Sequence, residues 1–222
     1  MTGGDTRSVP LSLLAKTYSG IGPALEYHSP YQLLVATALA AQTTDVQVNK
    51  ATGPLFAKYP DAESMTGVDP ETLIPYIQGV GLYRTKAKHI AAMADMLVSD
   101  FGGEVPQTRE DLMKLPGVGR KTANVVLAFA FGVPAIAVDT HVFRVANRMG
   151  LASGKTPEAV EEQLCALIPK EDWANAHHWL IWHGRRCCRA QRPDCEECPV
   201  GQICPRIDIV KKRKTKLRSV QE

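Results

Sequence analysis

Residues 28–42, HSPYQLLVATALAAQ, form a stretch with no polar face. Ser29 stands where a helix N-cap belongs and Pro30 at the first helical position, so the segment reads as an α-helix. A helix apolar on every side has to be buried on every side. The rest of the chain offers only helices to bury it. Period-two alternation of branched and aromatic residues is absent, and DPETLIPYIQGVG, LYRTKAKHIAAMADMLVSDFGG, TREDLMKL, TPEAVEEQLCALIP and EDWANAHHWLIWHGRRC each carry helical signals. Most open on a capping Asp or Thr and close on Gly or Pro. The expectation is an all-α fold of short helices joined by tight turns.

A chain of 222 residues, 45% of them hydrophobic, can bury on the order of 70% of its unfolded surface in one or two domains. Its 26 basic and 23 acidic residues leave a net charge of only +3, so a polyanionic partner has to be argued from local clusters. One cluster is the end of the chain, where Lys211, Lys212, Arg213, Lys214, Lys216 and Arg218 make either a solvated tail or a nucleic-acid contact. The N-terminus MTGGDTRSVP has no leader pattern and no apolar run approaches the roughly 18 residues of a membrane span. A reducing intracellular compartment is expected, and there six cysteines point to metal ligation or free thiols rather than disulfides.

LPGVGRKTA, residues 115–123, places a glycine turn between two helices. Gly117 and Gly119 permit positive φ and leave the backbone bare, so N–H groups at the start of the next helix can meet a phosphate oxygen without reading a base. An earlier segment, IQGVGLYRTKA at 77–87, repeats the order helix, Gly-Val-Gly, helix, lysine.

Lys121 falls in the first turn of the helix after the hairpin, beside Arg120 and ahead of NVVLAFAFG. A helix N-terminus, a neighbouring cation and a dry wall would each disfavour the ammonium form and ready the amine as a nucleophile. The helix to Phe131 climbs about 17 Å. The extended GVPAIAV after it spans at most about 25 Å, which returns Asp139 to the side of Lys121. There Asp139 can cap its own helix and also accept a proton or stabilise positive charge growing on a sugar carbon.

Cys188, Cys195, Cys198 and Cys204 are separated by six, two and five residues. A single asymmetric loop of this kind suits one tetranuclear iron–sulfur site better than the two separated pairs usual for zinc. Cys187 and Cys165 lie outside the spacing and default to a spare thiol and a core residue. Arg189 and Arg192, with Arg185 and Arg186, form a basic knob able to meet phosphates. His177, His178 and His183 read as packed or exposed rather than as ligands.

LPGVGRKTA, VDTHV at 138–142 and the cysteine loop together resemble the endonuclease III family of helix-hairpin-helix DNA glycosylases, with a match from about Tyr27 to Cys204. The strings AQTTD at 41–45 and VGLYRTKA at 80–87 fit the same family. The resemblance implies a six-helix barrel over 23–133, an iron–sulfur domain from 1–22 and 134–210, and a basic tail at 211–222. It implies a bifunctional glycosylase and abasic-site lyase of base-excision repair that removes oxidised pyrimidines. Lys121 is the implied nucleophile, Asp139 its carboxylate partner, and Cys188, Cys195, Cys198 and Cys204 the ligands of a [4Fe-4S] cluster. Gln42 and Leu82 are expected to fill the hole left by a flipped nucleotide, and Gly117, Gly119, His141, Arg189 and Arg192 to meet DNA. The expected partner is damaged or abasic duplex DNA, bound by a monomer in the cytoplasm at the nucleoid, with no membrane role. Two rivals remain at this point: an adenine-type glycosylase, against which Lys121 and the early end of the chain argue, and a non-catalytic DNA-binding module.

Overall fold

A computed structural model describes residues 8–209. The basic tail at 211–222 and the first seven residues lie outside the described residues. The elements are α1 (Ser8–Thr17), α2 (Pro30–Leu39), α3 (Asp45–Lys58), α4 (Ala62–Met65), α5 (Pro70–Ile77), α6 (Tyr83–Phe101), α7 (Arg109–Leu112), α8 (Arg120–Ala130), α9 (Thr140–Arg148), α10 (Pro157–Leu167) and α11 (Trp173–Arg186), with a 3-10 turn at Lys170–Asp172. Among the described residues there is no strand, as the missing period-two pattern requires.

The helix apolar on every face is α2. Every residue from Tyr31 to Leu39 is buried, and α3, α6 and α8 pack around it. Ser29 accepts from the Gln32 N–H, so the cap is built as the sequence indicates. Each leucine sunk there contributes about 1.5–3 kcal/mol relative to exposure. Helices α2 to α8 share one hydrophobic core, which includes Leu34, Leu39, Leu55, Ile77, Ile90, Leu112 and Val126.

A second core joins both ends of the described chain: Leu11, Leu14 and Tyr18 of the N-terminal segment with Val142, Val145, Leu164, Leu180 and Val200. The chain crosses between the two cores at 131–138. That crossing is strapped by Asn124, fully buried in α8, whose Nδ2 donates to the Ile136 carbonyl at 2.9 Å. Arg109 Nε donates to Asn124 Oδ1 at 2.9 Å, so both polar atoms of the buried amide have a partner.

Helices α3 and α4 are absent from the sequence reading. Gly53 and Pro54 look like a break, yet α3 runs through them. Val48, Ala51, Thr52 and Leu55 are buried on one side, and that packing outweighs the propensity cost.

Candidate active site

The hairpin is built from α7, a four-residue turn capped by Thr108, and α8. Gly117 has φ +78, and a Cβ there would come within 2.8 Å of Nδ1 of His89 and 3.1 Å of its Cβ. The tight approach and the left-handed backbone both call for glycine. Gly119 differs from expectation, because its φ of −98 and ψ of 176 are extended. Nothing lies within 4 Å of a Cβ built on it. Its lack of a side chain serves bareness rather than strain: it is the N-cap of α8 and offers no side-chain cap to the first N–H groups of that helix, which have no helical partner.

Lys121 follows in the first turn of α8. The expected dry wall stands on one side only: Val125 and Phe129 line the cleft beside it, while Lys121 itself is exposed. Arg120 is turned away from it and gripped by the buried Glu161 of α10, at 2.9 Å from Nε to Oε2 and 3.0 Å from Nη2 to Oε1. This two-pronged bond fixes the start of α8 against the second core and raises the Arg120 pKa further.

Asp139 ends the crossing segment and caps α9, with Oδ1 accepting from the N–H groups of His141 at 2.8 Å and Val142 at 2.7 Å. Among the described residues no hydrogen bond engages its second oxygen. His177, buried in α11, meets the Ala137 carbonyl at 2.7 Å from Nδ1 and so holds the backbone two residues before Asp139. Burial, with His178 beside it, holds the His177 pKa down and keeps its ring neutral at physiological pH.

Lys121 and Asp139 line the same cleft between the two cores. One part, about 770 Å³, is walled by Gln42, Asp139, Thr140, His141 and Lys121. An adjoining, more apolar part is walled by Leu33, Val125, Phe129, His178 and Trp182, and holds Thr37, a buried hydroxyl with no hydrogen-bond partner among the described residues. Asp45 of α3 and Arg185 of α11 pair across the cleft at 2.5 Å. The sequence reading missed this pair because its members are 140 residues apart in different helices. His141 borders the cleft, with Nδ1 accepting from Arg144 Nη2 at 3.1 Å, and burial lowers its pKa.

Gln42 and Leu82 are both exposed and both left-handed, with φ +56 and +57. Leu82 is 63% exposed, large for an apolar side chain. Arg189 and Arg192 are exposed on the cysteine loop and line none of the cleft.

Cys188, Cys195, Cys198 and Cys204 all face one small cavity at the end of α11. The loop is wound tightly: a Cβ on Gly201 would lie 2.7 Å from the Cys195 carbonyl oxygen. Two side chains set aside in the sequence reading are also there. Cys187 lines the cavity, and Sγ of Cys187, Sγ of Cys198 and a ring nitrogen of His183 lie within 4.8 Å of one another. Burial lifts the Cys195 and Cys204 thiols and pushes Cys187 up to about 12, so thiolates held here call for a cation among them. Arg148 reaches Cys188 Sγ at 3.7 Å from Nη1, and Arg144 Nε donates to the Cys188 carbonyl at 3.1 Å. The donor set is able to hold a metal group, with arginines placed to offset surplus thiolate charge.

Comparison with known proteins bears on this arrangement. The family model for the HhH-GPD superfamily base excision DNA repair protein matches residues 35–170. Endonuclease III of Bacillus subtilis is 52% identical over 181 residues, 81% of this chain and 83% of that protein. The chain belongs to the endonuclease III family. Rickettsia conorii endonuclease III is likewise 52% identical over 180 residues, 81% and 86% of the two chains, and the Escherichia coli protein 48% over 188 residues, 83% and 89%. A solved non-covalent endonuclease III–DNA complex has TM-score 0.88 at 45% identity, covering 93% of this chain and 97% of that one. A trapped endonuclease III–DNA covalent intermediate has TM-score 0.86 at 45% identity, covering 91% and 97%. Among the described residues no helix is long and apolar enough to cross a membrane.

Proposed function

We propose that this endonuclease III relative removes oxidised pyrimidines from duplex DNA and cleaves the abasic product by β-elimination through Lys121. The observation that carries this reading is that Lys121 and Asp139, one from each core, line one cleft at the bare glycine end of the hairpin. The hairpin N–H groups hold a phosphate and so fix the register of the strand. The free oxygen of Asp139 accepts a proton from the Lys121 ammonium, which leaves the neutral amine. Nζ then forms a bond to C1′ of the flipped nucleotide as the C1′–base bond breaks, and the base leaves with the electron pair and takes up a proton. The sugar ring then opens as the C1′–O4′ bond breaks and O4′ takes up a proton from nitrogen, which leaves an imine at C1′. The imine acidifies the 2′ carbon, loss of its proton expels the 3′ phosphate, and water adds to the imine carbon and releases the amine.

Two domains are proposed, 23–133 and 1–22 with 134–210, and the separate cores of the described residues support that division. Cys188, Cys195, Cys198 and Cys204 would hold a [4Fe-4S] cluster, which ties the loop carrying Arg189 and Arg192 to α11 and takes no part in the chemistry. The protein works as a monomer on nucleoid DNA.

The test is a panel of duplexes, each with one oxidised pyrimidine, oxidised purine or abasic site. Release of the oxidised pyrimidine and nicking at the abasic site are expected. Asp139→Asn is expected to keep DNA binding and slow turnover by a factor on the order of 10² or more. Weak binding with normal turnover would reduce Asp139 to a helix cap. Purified protein is expected to carry about four irons per chain, retained in Cys187→Ser and lost in Cys188→Ser. Stoichiometric zinc without iron would refute the cluster.

A further inference from the structure

We propose that Lys86 is the positioning residue for base flipping: its ammonium clamps the loop carrying Gln42 to the turn carrying Leu82. This rests on the reading of those two side chains as the pair that enters the helix at the flipped site.

Lys86 lies in the second turn of α6 and is buried, with 6% of its surface exposed. Its three ammonium hydrogens have three oxygen partners. Nζ donates to the Leu39 carbonyl at 2.8 Å, to the Ala41 carbonyl, and to Thr43 Oγ1 at 3.3 Å. The first two acceptors belong to the C-terminal end of α2, where carbonyls lack helical partners and a cation is favoured. The N–H of the same residue makes the first helical bond of α6, to the carbonyl of its N-cap Leu82 at 3.1 Å, which fixes Lys86 one turn from Leu82. Its side chain therefore ties the peptide on the near side of Gln42 to the end of the helix that Leu82 caps.

The surrounding contacts serve the same junction. Thr43 Oγ1 also accepts from the Gly81 N–H at 3.1 Å. A Cβ on Gly81 would come within 3.0 Å of the Gln42 carbonyl oxygen, so the two loops touch backbone to backbone. Gln42 and Leu82 supply nothing to this junction from their own side chains, which are exposed. Both sit in left-handed backbone that their residue types seldom adopt, and such a conformation persists only where its surroundings hold it. The ammonium and Thr43 are those surroundings. Burial lowers the pKa of the amine, and three oxygen partners favour its charged form. Lys86 lines neither part of the cleft, so its effect would reach the reaction through the spacing of Gln42 and Leu82.

The test uses the full chain, with Lys86→Met, which keeps the stem and removes the ammonium. Flipping is read from 2-aminopurine fluorescence opposite an abasic analogue in duplex DNA, and cleavage from a duplex lesion and from a single-stranded abasic site. Lys86→Met is expected to lose most of the fluorescence change and to slow duplex excision by about 10- to 100-fold, while single-strand cleavage stays within about threefold. Because Lys86 and Leu82 act on one step, the Lys86→Met/Leu82→Ala double variant is expected to be slower than the slower single by no more than about threefold. Thr43→Val removes the Gly81 acceptor but keeps the charge, and a smaller loss of the same kind is expected should Lys86→Met fail to fold. Wild-type flipping in Lys86→Met, or in Thr43→Val where only that variant folds, would overturn the clamp; so would equal losses on both substrates, or additive losses in the double variant. Wild-type flipping in Gln42→Ala and Leu82→Ala would overturn the reading of that pair, and the clamp with it.

Discussion

The chain writes nearly the same string twice and builds two different devices from it. At 79–81 and again at 117–119, Gly-Val-Gly links one helix to the next. At the second turn the left-handed residue is Gly117, packed on His89, and the helix that follows opens without a side-chain cap on its first N–H groups. At the first turn the left-handed residue is Leu82, one place after the glycines, and it projects an apolar side chain into solvent. The difference teaches that where positive φ falls decides whether a glycine turn presents backbone or side chain. Backbone donors suit a phosphate, and an apolar projection suits a gap in a base stack.

Three substitutions sharpen that contrast. Gly117→Ala is expected to have the largest effect: left-handed strain and the His89 contact together destabilise by roughly 1–3 kcal/mol. A melting temperature equal to wild type would show that the turn has another geometry. Leu82→Gly comes next and has the opposite sign. Relief of left-handed strain offsets glycine's greater unfolded freedom, so stability is expected to stay level or rise by up to about 1 kcal/mol while flipping falls. A marked loss of stability would place Leu82 in the fold instead. Gly119→Ala is the mildest in the fold, because its backbone is extended and its surroundings open. Stability is expected to change by no more than about 0.5 kcal/mol. DNA affinity is expected to fall, as a methyl group then stands where a phosphate approaches, and unchanged affinity would mean that the hairpin N–H groups do not contact DNA.

How far the sequence foretold this follows from the range of each interaction. The buried helix α2, the cap at Ser29, the cysteine spacing and the return of Asp139 toward Lys121 depend on residues close along the chain or on simple lengths, and they were legible. Gly119 was misread because glycine at a turn suggests positive φ, whereas here the absent side chain clears space. Leu82 gave no sign of its left-handed backbone, since leucine seldom accepts one. Lys86 was noticed only as the lysine of the repeated turn, because its partners stand 43 to 47 residues away. His183 was set aside although it lies one helical turn before Cys187, a spacing that puts both on one face. Helix α3 was hidden by Gly53 and Pro54, whose local cost is overridden by packing that no local pattern announces.

On the proposed function the bare hairpin delivers Lys121 to the sugar carbon. Borohydride reduction during reaction with abasic duplex DNA, followed by peptide mapping of the adduct, tests it most directly. The expected result is one covalent adduct on Lys121, abolished in Lys121→Gln while that variant still binds the DNA. An adduct on another residue, or trapping of Lys121→Gln at the wild-type rate, would contradict it.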